Sequence, residues 1–241
     1  MWVRTDQLKN SMEEAEHLCE RLGIFVGGRL QCIGNEKQLK TRYGGFYVFT
    51  ITTSSENEQE VERATVASHL VDGIRAFQRV IDYGAVRVVV PGNIPIGCLP
   101  VYLTAFQSNA SAAYDEDNCL TKLNDLATYH NHQLKEAIRE LKKDYPNTVI
   151  VYGDYYRAFQ RLFRNAESLG FDGASLQKAC CGTDGDYNFN LTEMCGAFGV
   201  PICRNPNEHI SWDGVHLTQE AYKIMSEWLL SDIVPKLHCP I

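Results

Sequence analysis

The sequence has no apolar run near the roughly 20 residues that a membrane-spanning helix requires, so hydropathy predicts no membrane span. Basic charge is in short supply too: 23 Lys and Arg stand against 30 Asp and Glu, for a net charge of -7. A nucleic-acid partner calls for a basic face, and that class is excluded. There is no Gly-x-x-x-x-Gly-Lys-Ser/Thr phosphate cradle, which removes ATP hydrolysis of the P-loop kind. There is no Cys-x-x-Cys pair, the usual core of a structural zinc site. Neither a Gly-Asp-Ser triplet nor a Gly-x-Ser-x-Gly elbow occurs, so no motif for an activated serine is present. Residues Met1 to Lys9 lack an apolar core and read as neither signal peptide nor anchor.

Cysteine, by contrast, is plentiful. Of nine, seven follow residue 97: Cys98, Cys119, Cys180, Cys181, Cys195, Cys203 and Cys239. That density suits an oxidising compartment and disulfides. Zinc is the rival reading, disfavoured by the adjacency of Cys180 and Cys181. Cys98 with Cys119 makes a plausible short closure. The pairing of Cys180, Cys181, Cys195 and Cys203 stays open, and an odd count leaves one thiol free or paired elsewhere. Two sequons, Asn109-Ala-Ser111 and Asn190-Leu-Thr192, fit a secreted glycoprotein.

Residues 1–65 differ from the rest. Ser11 and Glu14 form a capping box before a stripe of Ala15, Leu18, Cys19 and Leu22 that Gly23 closes. Ile24 to Val26 and Leu30 to Ile33 flank a glycine turn, a hairpin signal. A short helix near Glu36 to Arg42 and a strand at Tyr47 to Thr52 follow, and the acidic stretch Ser54 to Glu62 reads as a linker. This is a small α+β segment. Beyond it, Leu70, Ile74, Phe77 and Ile81 lie on one helix face. Val86 to Val90 and Thr148 to Tyr152 read as buried parallel strands, separated by a loop at Pro91 to Pro100 and a long amphipathic helix at Leu120 to Lys143. Tyr155 to Gly170 reads as helical, and Thr218 caps a last helix carrying Ala221, Met225, Trp228 and Leu229. Alternating strands and helices predict an α/β domain with a parallel sheet, incomplete because only two strands are legible.

The chemistry concentrates at Asp213-Gly214-Val215-His216, just before that helix. A neutral His takes a hydroxyl proton, and a carboxylate beside it fixes the tautomer and the orientation of the ring. A helix N-terminus nearby disfavours the imidazolium. Trp212 reads equally as the wall of a substrate pocket and as ordinary packing beside a helix start. His130, His132 and His209 read as structural or solvated.

From about Val66 to Cys239 the chain resembles the C-terminal portion of plant GDSL-type esterase/lipases of the SGNH hydrolase superfamily. The residues that carry the resemblance are Asp82 to Val90, Pro95-Ile96-Gly97-Cys98-Leu99-Pro100, Tyr129-His130-Asn131, Ala179-Cys180-Cys181-Gly182 and Asp213 to Thr218. The resemblance implies a three-layer α/β/α sandwich and a Ser-His-Asp mechanism without metal or organic cofactor. It makes His216 the general base and Asp213 its partner. It implies a small-molecule or lipid ester as substrate and a secretory or extracellular location. The family's serine and its Gly-x-Asn-Asp block are not found; Gly92-Asn93 is followed by Ile94 and receives no role. Residues 1–65 resemble a fragment beyond the switch histidine of a plant A-subfamily ABC-transporter nucleotide-binding domain, through Ser11 to Glu16, Leu22 to Val26, Gln31 to Asn35 and Arg42 to Gly45.

The expectation is therefore two regions, 1–65 and 66–241, the second an esterase part inactive on its own. The alternatives are a non-catalytic binding module and the product of a gene fusion. A complementing chain is a conceivable partner.

Overall fold

The computed structural model describes residues 22–26, 29–34 and 58–237. The chain divides into two compact units, Met1–Ser54 and Ser55–Ile241.

In the first unit the two strands of the expected hairpin are present, while the glycines between them lie outside the described residues. Strands β1 (Leu22–Val26) and β2 (Arg29–Gly34) pair antiparallel, with Leu22 opposite Gly34 and a register shift between Ile24 and Phe25. Leu22 and Gly23, expected to end a helix, belong to β1 instead. The expected capping box, the 36–42 helix and the 47–52 strand lie outside the described residues.

The second unit begins with helix α1 (Glu58–Asp82). Its first residues were expected to be a linker; their Glu and Gln content favours helix as well as solvent, and the helix wins. Strand β3 (Arg87–Pro91) follows, then short helix α2 (Pro100–Ala105) and long helix α3 (Thr121–Asp144). Strand β4 (Val149–Gly153) pairs with β3 in parallel, Arg87 opposite Val149 and Pro91 opposite Gly153. Helices α4 (Tyr155–Arg164) and α5 (Gln219–Ile233) complete the order. The region expected to be helical to Gly170 is α4, then a 3-10 turn at Glu167–Leu169, closed by Gly170 at a left-handed φ of 93°.

The side-chain alternation of the strands sets up three layers. Val88, Val90 and Ile150 face one way, onto Ile81 of α1 and Leu134, Ile138 and Leu141 of α3. Val151 faces the other way, into a cluster of Phe159, Leu162 and Phe163 from α4 with Ala221, Met225, Leu229 and Ile233 from α5. The architecture is helix, sheet, helix, an α/β fold with a small parallel sheet. Among the described residues no helix is long and apolar enough to cross a membrane.

Two buried asparagines on α3 escaped the apolar pattern, where Leu123 was expected inward. Asn124 accepts the N–H of Gly97 at 3.0 Å and donates to Asp115 at 2.9 Å. Asn131 accepts the N–H of Asn93 at 2.7 Å and returns a bond to its carbonyl at 2.9 Å. Both pin the loop after β3 to the helix, satisfying backbone groups that the sheet does not reach.

Among the described residues, Tyr152 is the exception to polar satisfaction. Its hydroxyl is buried beside Gly92 with no hydrogen-bond partner, and a Cβ on Gly92 would collide with it. Burial pushes the phenol up to about 12. The folded state thus holds this proton longer than the unfolded chain, and the group's contribution to stability is lost as pH rises from about 10 to about 12. Tyr152→Phe removes an unpaired buried hydroxyl and is expected to stabilise the domain by about 1 kcal/mol. It also flattens that alkaline loss; urea midpoints at pH 7 and pH 11 measure both.

Candidate active site

Asp213 to His216 form a tight turn just before α5. Asp213 folds it: one carboxylate oxygen accepts the N–H groups of Val215 at 2.9 Å and His216 at 2.6 Å. The other oxygen meets His216 Nδ1 at 2.7 Å. A carboxylate only accepts, so Nδ1 carries the proton of the neutral ring and Nε2 presents its lone pair. The His216 side chain is 46% exposed and that of Asp213 20%. Nε2 has no hydrogen-bond partner among the described residues. The two residues expected to act together are thus together.

Gly214 is required by the turn. Its φ is 92°, and the Phe189 ring occupies the space a Cβ would fill. Its carbonyl accepts the N–H of Val101, which ties the turn to the start of α2 at 3.1 Å. Beyond His216, Thr218 accepts the N–H of Ala221 as the N-cap of α5 and donates to the His209 carbonyl at 2.6 Å.

The backbone before the turn is held by the cysteine loop. Cys180 N–H donates to the Ser211 carbonyl at 3.0 Å, and Cys181 N–H to the Trp212 carbonyl at 2.6 Å. Among the described residues three disulfides are formed: Cys98–Cys119, Cys180–Cys203 and Cys181–Cys195. The first is the short closure expected; the other two resolve the open pairings. Cys239 lies outside the described residues.

His130, His132 and His209 stand apart from this chemistry. His132 is an exposed partner of Glu136 at 3.8 Å, and His130 lies 3.4 Å from the Asn131 amide oxygen. His209 comes close to Cys180 and Cys203, their ligand atoms all within 4.8 Å. Those sulfurs are spent on each other in a disulfide, so the group offers no thiolate to a metal. Trp212 is half-buried, and its backbone N–H donates to the His216 carbonyl at 2.8 Å.

The second unit is a three-layer α/β fold with a carboxylate-held imidazole on the turn before α5. The chain belongs to the GDSL-like lipase/acylhydrolase family, whose profile matches residues 44–229. It is 51% identical over 172 residues to the GDSL esterase/lipase At5g03980 of Arabidopsis thaliana, covering 71% of this chain and 52% of that protein. It is 43% identical over 181 residues to acetylajmalan esterase 2 of Rauvolfia serpentina, covering 75% and 48%. With the GDSL esterase/lipase At1g28610 of Arabidopsis thaliana it is 35% identical over 243 residues, covering 96% and 60%. The chain spans about half the length of the curated relatives it matches.

Proposed function

We propose that this chain supplies the base half of a carboxylic-ester hydrolase, with His216 as general base and Asp213 as its orienting carboxylate. The observation that carries the reading is the 2.7 Å contact of Nδ1 with Asp213, which leaves Nε2 without a partner among the described residues. In the reaction Nε2 takes the proton of a serine hydroxyl as it attacks the ester carbonyl, and returns it to the leaving alcohol. Water then repeats the cycle on the acyl-serine. No metal or organic cofactor takes part in this scheme. The serine and the oxyanion donors come from outside these 241 residues, since no Gly-Asp-Ser occurs within them. Support for an ester of plant metabolism comes from the relatives, one of which is named for acetylajmalan. A small neutral acyl ester, acetyl first, is therefore the substrate class to try; a lipid ester is the other.

Incubated alone with a small aryl acetate, the chain is expected to turn over no faster than its His216→Ala variant. A rate that depends on His216 would sink the assignment of the nucleophile to residues outside it. Calorimetric binding of an ester without hydrolysis is the outcome that a non-catalytic binding module gives.

Two further readings belong with this one. Secretion is supported by three disulfides and by the exposed sequon at Asn109. The transporter-like origin of residues 1–65, joined at 65/66, rests on the motifs of that segment. Against it stands the match to At1g28610, which covers 96% of this chain. A full-length transcript read across residues 62–66 separates a fusion from a continuous esterase gene.

A further inference from the structure

The Asp213–His216 turn is not held by Asp213 alone. Ser211, 2% exposed, sits at its base. Its hydroxyl oxygen accepts the N–H of Gly214 at 3.0 Å and donates to the carbonyl of His216 at 3.4 Å. One buried side chain therefore joins the middle of the turn to its end. The next peptide of the turn is fixed through the Gly214 carbonyl, which accepts the N–H of Val101, and the Ser211 carbonyl accepts the N–H of Cys180. Ser211 also bridges sideways, in parallel to Ala179 and antiparallel to Leu217. It is the point at which the disulfide-bound loop, the turn and the run into α5 meet.

We propose that Ser211 is a positioning residue for His216. This rests on the reading of His216 as the base. The hydroxyl has no path to the substrate, because both of its bonds go to backbone of the turn. What it fixes is the distance between the His216 backbone and the Asp213 carboxylate. The imidazole has two single bonds between its ring and its backbone. If the backbone at 214 and 216 relaxes, Nδ1 drifts from Asp213 and the ring loses its reason to keep the proton there. Removing the hydroxyl also leaves a buried N–H at Gly214 unpaired, which the turn satisfies only by moving. Asp213 fixes the ring relative to itself; Ser211 fixes the turn that carries both.

Long-range nitrogen-15 correlation spectra of the 241-residue chain read the ring tautomer of His216 directly, with His216→Gln giving the assignment. The unsubstituted chain is expected to show the Nδ1–H form. In Ser211→Ala the ratio of Nδ1–H to Nε2–H is expected to fall about tenfold, the size of one net hydrogen bond. Ser211→Thr and Ser211→Val have the same shape and differ by the hydroxyl, so their packing strain cancels. Thr is expected to retain the ratio and Val to lose it. Thr218→Ala removes a buried hydroxyl that caps α5 without touching the turn, and is expected to leave the ratio alone. The proposal is overturned if Ser211→Ala and Ser211→Val keep the original ratio, or if Thr218→Ala shifts it as much as they do. A ring that lacks Nδ1–H in the unsubstituted chain contradicts the base assignment, and with it the premise of this one.

Discussion

Joined behind a family N-terminal half that carries the Gly-Asp-Ser serine, the chain is expected to hydrolyse aryl acetates, and His216→Ala to remove about 10⁶-fold of that rate. The size follows from how the groups act as a unit. A serine without its base is a weak nucleophile at neutral pH, and the base does nothing without the serine. Asp213→Asn is expected to cost about 10⁴-fold, because an amide in that place lets the ring take the wrong tautomer. Its backbone role is kept, since the amide oxygen still accepts from Val215 and His216. The loss should fall on kcat, as the interaction matters most once the imidazolium forms. Steady-state kinetics on the three proteins check this. Equal rates for the joined protein and its His216→Ala variant would remove His216 from the chemistry.

The second large effect is on stability. Breaking the Cys180–Cys203 bridge, by Cys180→Ala with Cys203→Ala, frees a loop spanning 23 residues. Constraint of the unfolded chain by a loop of that size is worth about 3 kcal/mol. For a unit of this length that lowers the melting temperature by roughly 6–12 °C. The consequence reaches the site, because Cys180 and Cys181 hold the carbonyls of Ser211 and Trp212 through their own N–H groups. Loosening the loop loosens the backbone leading into Asp213. A thermal or denaturant midpoint unchanged in the double variant would show that packing, not the bridge, orders this segment.

Much of the second unit could be read from residue spacing. The stripe Leu70, Ile74, Phe77, Ile81 does pack against the sheet, and Val88, Val90 and Ile150 are buried as a parallel strand pair demands. Asp213 and His216 were singled out through the family resemblance, because Asp-x-x-His spacing alone suits an incidental surface loop before a helix as well. Cys98 with Cys119 was legible as a closure; the pairing of the other four was not, since spacing does not select among connectivities. Asn124, Asn131 and Ser211 escaped for one reason. Their value lies in capping backbone groups of distant segments, and no local periodicity marks such a role. The start of α1 at Glu58 escaped because an acidic run reads the same in a solvated helix as in a linker.

As the proposed base, His216 serves a serine that lies outside these 241 residues. The most direct measurement mixes this chain with a serine-bearing N-terminal half of the family and follows a fluorophosphonate probe by mass spectrometry. The expected result is labelling of that half's serine, in the presence of this chain and abolished by His216→Ala. Label on a hydroxyl of this chain, or labelling of the other half that ignores residue 216, would contradict it.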